Sequence, residues 1–276
     1  MPDPEKRIAL LIDADNAPAS KVDEILAEVA AFGVANVRRA YGDWKNPRLK
    51  GWEGVLHEYA IRPIQQFAYS KGKNASDMAM VIDAMDLLYA RNLDGFAIVS
   101  SDADFTPLVM RLLTDGVKVY GFGEQKTPLP FVNACSRFIY LEALGQEDAD
   151  APATAAAVAP PVRNMTELEA PVAVPEVAQV PIQPRPGNEL RSDTRLLNLL
   201  RGAVDAATDE QGWAPLSAVG NQIANRASFD SRNYGYRKLS DLIAAVGLFE
   251  LKKDGKSSHV RVLPKKGNIQ NRQGMD

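Results

Sequence analysis

The sequence predicts an α/β protein: a mostly parallel sheet flanked by helices, then a proline-rich spacer, then a small basic module of helices with a β-wing. Three observations carry that reading. In residues 1–144 short apolar runs alternate with single helical patterns. In residues 145–188 large side chains vanish. From residue 189 three helical patterns lead into an alternating run centred on Asp254-Gly255.

The apolar runs are Arg7–Asp13 (RIALLID), 34–41, 61–68, 95–101 (GFAIVSS), 117–122 and 138–141. Helical patterns at 17–32, 52–59, 76–92, 105–114 and 128–134 separate them. Strands joined through single helices call for right-handed crossovers and a parallel sheet covered on both faces. Such sheets bind ligands beyond the carboxyl ends of their strands.

The spacer holds eight of the 18 prolines, and no aromatic residue occurs between Tyr140 and Trp213. Without large side chains it cannot bury enough surface to offset its ordering entropy, and its prolines favour an extended, semi-stiff chain. The expected organisation is therefore a sheet domain over 1–144, a flexible Pro/Ala-rich linker over 145–188, a winged-helix domain over 189–264 and a disordered tail over 265–276.

Within residues 189–276, Leu196, Leu197, Leu199, Leu200 and Val204 mark one helix, Pro215 opens a second through Val219 and Ile223, and Tyr236 to Val246 mark a third. Residues 249–263 then alternate around Asp-Gly, a strong hairpin signal. Three helices and a wing describe a winged helix, a shape that also reads DNA.

Charge divides along the same boundaries. Residues 1–144 carry 16 basic and 19 acidic side chains, 145–188 two and six, and 189–276 fourteen and ten. A basic module on an acidic spacer suits a nucleic-acid grip, although a surplus of four is ordinary for a solvated surface.

Other classes fall away. No apolar run reaches the roughly 20 residues of a membrane span, so no membrane contact is expected. The opening Met1–Arg7 leads into a strand pattern without a signal-peptide stretch, so a cytoplasmic location is expected. One cysteine, Cys135, excludes an internal disulfide, and with only His57 and His259 beside it a thiolate or imidazole zinc site is excluded too. Any metal must be held by oxygen.

Acidic residues gather where the chain leaves the sheet. Asp13 closes the first strand and Asp102 and Asp104 follow the fourth, while Asp77 falls in the apolar stripe of the 76–92 helix, in its first turn. Capping accounts for some: Asp15 or Asn16 before Pro18, and Asp104 before Phe105. It does not account for Asp13, an acid ending a run of five apolar residues. Asp83 lies on the flank of that helix and Asp86 points into solvent. Carboxylates crowded in low dielectric repel unless a cation joins them, and Mg²⁺ or Mn²⁺ prefers such hard oxygen ligands. A bound divalent ion lowers the pKa of its water and neutralises charge in an attack on phosphorus. No GxSxG, P-loop or GxGxxG pattern competes.

The stretches RIALLIDADN, KNASDMAMVIDAMDL and FAIVSSDADFTPLV resemble the NYN family of PIN-like metal-dependent ribonucleases, in its LabA-like bacterial branch, over residues 7–144. The resemblance implies a PIN-like parallel sheet, metal ligation by Asp13, Asp77, Asp102 and Asp104, and a site lined by Asn16 and Ser101, with Asp83 in an outer position. The stretch from Gly212 to Leu251, including FDSRNYGYRKLSDLIAAVGLFEL, resembles the OST-HTH or LOTUS domain, covering 189–263. That resemblance implies RNA binding, or protein contacts as in some eukaryotic members. Arg226, Arg232, Asn233, Tyr234, Tyr236, Arg237 and Lys238 are then the RNA-facing candidates, with Lys252, Lys253 and Lys256 on the wing touching phosphate.

Further grip on RNA is expected from the segment after the second strand, where Trp44, Lys45, Arg48 and Lys50 combine stacking with positive charge, and from Lys71 and Lys73 before the Asp77 helix. Trp52 and Cys135 read as core, and His57 as a packing residue. The expected function is a divalent-metal ribonuclease, using Mg²⁺ or Mn²⁺, that hydrolyses RNA phosphodiesters and is guided by its terminal module. Two alternatives stand beside it. One is a non-catalytic RNA-binding regulator on the same scaffold. The other is a haloacid-dehalogenase-like phosphatase using Asp13-Ala-Asp15, which position 17 (Ala where Thr or Val is required) disfavours.

Overall fold

The computed structural model describes residues 5–66, 75–90, 92–145, 182–254 and 257–263. Most of the expected linker, the tail beyond Leu263, and Lys71, Lys73 and Lys256 lie outside them.

Strands β1 (Arg7–Asp13), β2 (Val34–Gly42), β3 (Arg62–Gln65), β4 (Gly95–Val99), β5 (Lys118–Gly123) and β6 (Arg137–Tyr140) form one all-parallel sheet in the order β3-β2-β1-β4-β5-β6. The two central strands are buried throughout, apart from Arg7 at the entrance. That is why they read as continuous apolar runs rather than alternating ones. Successive side chains still face opposite sides. Ile8, Leu10 and Ile12 pack with Trp52 and with α1 (Val22–Ala30) in one core. Ala9 and Leu11 pack in the other with α3 (Ala75–Tyr89) and α4 (Thr106–Thr114). The helix α2 (Trp52–Glu58) joins the first core and α5 (Leu129–Ala134) the second. Trp52 and Cys135 are core residues.

The helix expected over 17–32 is shorter than its pattern. After Pro18, which supplies no side-chain cap, the chain makes a 3₁₀ turn over Ala19–Lys21 before α1 begins. Strand order reverses between β1 and β4, a topological switch point whose crevice opens at the strands' carboxyl ends. Asp13 and Ser100 stand there.

The second unit is helical with a small sheet: α6 (Gly187–Ser192), α7 (Thr194–Ala207), β7 (Ala214–Pro215), α8 (Leu216–Arg226), α9 (Leu239–Val246), β8 (Phe249–Asp254) and β9 (Ser257–Val262). The wing pairs Phe249↔Val262 through Asp254↔Ser257, as the Asp-Gly signal predicts. Residues 182–188, expected as linker, instead pack on this unit. Ile182 is buried, the Arg185 N–H donates to the Tyr234 carbonyl, and α6 starts at Gly187. Gly235 is required there: its φ is 80°, and a Cβ would stand 2.5 Å from the Gln183 carbonyl oxygen.

The two units meet at the outer edge of β6. The Asn233 side chain donates to the Phe138 carbonyl at 2.9 Å and accepts the Tyr140 N–H at 3.1 Å, so one amide covers an edge that would otherwise be open. Buried Asp230 accepts from Arg137 at 2.7 Å, and Arg232 forks onto Glu28 of α1 at 2.6 and 2.7 Å.

Candidate functional site

Asp13 is 1 % exposed. Its Oδ2 accepts from Asn16 Nδ2 at 2.9 Å and from Ser100 Oγ at 2.8 Å, while its Oδ1 is buried with no partner. Burial pushes this carboxyl above its ordinary range, and the two donors only partly hold it down. A buried carboxylate with one oxygen unmatched is costly to fold around, so its retention calls for a function. Asn16 is not a helix cap; it orients Asp13.

Ser100 connects the two halves of the switch point. Its hydroxyl donates to Asp13 and accepts the Asp102 N–H at 3.1 Å. Asp102 Oδ1 in turn accepts the Asp104 N–H at 2.8 Å, capping the 3₁₀ turn Ala103–Phe105. The cap considered for Asp104 therefore belongs to Asp102. Ser101 Oγ accepts the Glu124 N–H at 2.9 Å and ties the end of β4 to the end of β5.

Asp77 completes the group from the first turn of α3, half-buried. Burial, and then the charges of Asp13, Asp102, Asp15 and Asp104, push its carboxyl up to about 6. The four carboxylates predicted from sequence thus lie within electrostatic reach at one edge. Among the described residues, no three His, Cys, Asp or Glu side chains already stand close enough to hold a metal ion together. The donor chemistry nonetheless fits a hard cation: every candidate is a carboxylate, and Asp13 Oδ1 has no other partner.

Asp83 has a different place. It forms an ion pair with Arg39 and accepts from Tyr41 Oη, tying α3 to β2. Burial and then Asp83 raise the Tyr41 phenol well above its ordinary range. The outer-site position suggested for Asp83 is replaced by this anchoring role.

The basic segment after β2 is divided. Lys45, Arg48 and Lys50 are exposed, and Lys45 and Lys50 line a cleft of about 520 Å³. Trp44 is half-buried, donates its indole N–H to the Ile64 carbonyl at 3.1 Å and meets Trp52 edge-on at 6.5 Å. It forms the cleft wall more than a free stacking platform.

In the second unit Arg226, Arg237, Lys238, Lys252 and Lys253 are exposed. Arg232, Asn233 and Tyr234 do not share that placement. Arg232 is tied to Glu28 and Asp230, Asn233 covers β6, and Tyr234 packs between Phe229 at 5.9 Å and the Arg185 guanidinium at 5.2 Å. For these three, expected to face RNA, the finding is a correction: their partners are in the protein. Burial pushes Asp230 up, yet the Arg232 hydrogen bonds and the Arg137 and Arg232 charges leave it below the usual carboxylate range. Glu28, Arg137, Asp230, Arg185 and Arg195 were not singled out from sequence. No local signal marks them, because their partners are remote along the chain.

The NYN domain family model matches residues 7–142, and the OST-HTH/LOTUS domain model matches residues 191–261. An uncharacterized protein of Methanocaldococcus jannaschii is 29% identical over 134 residues, which is 44% of this chain and 49% of that protein. The chain thus spans about half the length of this curated relative. Among solved structures, a protein of unknown function from Vibrio parahaemolyticus matches 51% of this chain and 95% of its own, at 19% identity and a TM-score of 0.43.

Proposed function

This chain belongs to the NYN-domain proteins and carries a C-terminal OST-HTH/LOTUS domain, a nuclease-like fold joined to an RNA-binding module, and on that premise we propose that it is a divalent-metal-dependent ribonuclease. The observation that carries the proposal is Asp13, buried at the switch point with one oxygen unmatched and beside an Asp77 raised to about 6 by burial and neighbouring acids. Asp13, Asp77, Asp102 and Asp104 would hold Mg²⁺ or Mn²⁺. When bound, such an ion supplies charge neutralisation at phosphorus and a more acidic water.

The chain's own groups do the rest. Asn16 and Ser100 fix the Asp13 carboxylate so that Oδ1 alone is left to bind. The Asp102 cap holds its turn rigid against Asp104. Lys45, Arg48 and Lys50 offer phosphate contacts beside the crevice, and Arg226, Arg237, Lys238, Lys252 and Lys253 offer them on the second unit. In this reading residues 1–144 are the nuclease domain, 189–264 the RNA grip, and RNA the partner, cut in the cytoplasm.

The test is degradation of a labelled RNA panel with Mg²⁺, Mn²⁺ or EDTA, comparing wild type with Asp13→Asn. Metal-dependent cleavage that the substitution abolishes is expected. RNA that is shifted on a gel but never cut, with either metal, refutes the nuclease and leaves an RNA-binding regulator.

A further inference from the structure

Where the end of β6 and α5 meet the second unit there is a cavity of about 320 Å³, lined among others by Tyr140, Arg185, Arg195, Ser228, Phe229 and Tyr234. Several of its acceptors are matched. Asp230 receives Arg137 and Arg232, Asp193 Oδ1 accepts the Leu196 N–H at 2.9 Å, and Asn133 Oδ1 accepts from Arg195 at 2.5 Å. Its donors are in surplus. Ser228 Oγ is fully buried with no hydrogen-bond partner. Two guanidiniums, each with five N–H groups, and two phenols line the same space. Walls carrying two guanidiniums and a buried hydroxyl without a partner suit an anion, and arginine forks suit phosphate above other anions.

Position narrows the source of that phosphate. Tyr140 ends β6, and β6 is two strands from β4 in the sheet. At about 4.8 Å per strand the cavity mouth is roughly 10 Å along the same carboxyl edge from the loop bearing Asp102 and Asp104. A single RNA strand covers that distance in a few nucleotides. Both domains contribute to the walls, so the cavity exists only while they are docked.

We propose that this junction cavity is a phosphate subsite for single-stranded RNA, built jointly by the two domains and gripping the strand whose neighbouring phosphates lie at the acid cluster. This rests on the ribonuclease reading for the identity of the polymer, but not on cleavage. It gives the interdomain contact a purpose: docking assembles a grip on RNA at a set distance from the acids.

The test uses the full chain with Asp13→Asn as parent, so that no strand is cut. A short single-stranded RNA labelled at its 3′ end, bearing either a 5′ phosphate or a 5′ hydroxyl, is titrated by fluorescence anisotropy across a salt series. The variants are Arg185→Ala with Arg195→Ala together, and Tyr140→Phe alone. The double variant is expected to weaken binding about ten-fold or more. The slope of log affinity against log salt should become shallower by about 0.7 for each phosphate that the protein no longer neutralises. Tyr140→Phe, which removes only a hydroxyl, is expected to weaken binding several-fold. Loss confined to the 5′-phosphorylated strand assigns the subsite to a chain end; equal loss on both assigns it to a backbone phosphate. Parent-like affinity and slope in the double variant and in Tyr140→Phe overturn the proposal. If the double variant undocks the domains, Tyr140→Phe alone decides. Wild type that binds through these residues yet never cuts leaves the subsite standing and removes the nuclease. Wild type that cuts RNA while the variants bind like the parent does the reverse.

Discussion

Replacing Arg232 by Ala tests the docking role that the structure gives it against the RNA contact expected from sequence. The Arg232 side chain is 23% exposed, Glu28 14% and Asp230 1%. Removing one partner from a fully buried ion pair costs about 3–5 kcal/mol. Arg232 and Glu28 keep some solvent, and Asp230 keeps Arg137, which brings the expected loss to about 2 kcal/mol. That corresponds to a roughly 25-fold shift in the docking equilibrium. The reporter is the Tyr140 amide, whose N–H donates to Asn233 across the interface. Its hydrogen exchange should accelerate by that same factor, because exchange there requires the domains to part. The amide of Leu11, in the middle of the sheet, should be unaffected. Unchanged protection at Tyr140, combined with weaker RNA binding, would refute the docking role and return Arg232 to the RNA-facing set.

Other outcomes follow from the same geometry. Asp77 is raised in the folded state above its ordinary 3.8 to about 6, so the native protein holds a proton that the unfolded chain has released. Metal-free stability should therefore fall as pH rises from about 4 to 6, by on the order of 1–2 kcal/mol after discounting for partial exposure. Thermal melts in EDTA at several pH values check this, and Asp77→Asn should flatten the profile. Adding Mg²⁺ should raise Tm more at pH 7 than at pH 5, since the carboxylates must be ionised to bind; an equal rise at both would count against ligation by these acids. Asp83→Asn should lower stability by about 1–2 kcal/mol by leaving Arg39 without its carboxylate, yet spare metal-dependent cleavage per folded molecule. Gly235→Ala should destabilise the second unit by about 1–3 kcal/mol in denaturant titration, because a left-handed backbone and a close carbonyl both oppose a Cβ.

What the sequence made legible is what repeats locally. β1 and β4 announce themselves because both faces are buried, leaving no polar residue to interrupt the run. Asp13 was legible as a candidate site residue for the same reason: an acid ends that run, and no capping geometry explains it. Asp77 was legible from helical period, which puts it on the stripe that carries Met80 and Ala84. Asp83 was harder. It sits six residues further along the same helix, and only the fold reveals that Arg39 and Tyr41 of β2 receive it. A side chain's partner across a sheet leaves no trace in spacing.

The second unit shows the sharper limit. Its basic surplus was read as a surface for RNA, and counting charges treats every arginine as available. The structure divides them. Arg232 forks onto Glu28, Arg191 donates to the Val246 carbonyl and Arg261 pairs with Glu250, so part of the positive charge holds the protein together. Arg137 on the first domain completes the same network. Lys238, Lys252 and Lys253 remain exposed, and Arg185 and Arg195 line the junction with guanidinium donors to offer. Net charge therefore pointed to the class of partner proposed above while counting as contact surface several arginines that are engaged within the chain. Arg232 and Asn233 make their contacts within the chain, to Glu28 and to the edge of β6, and the grip on RNA is expected to lie around them.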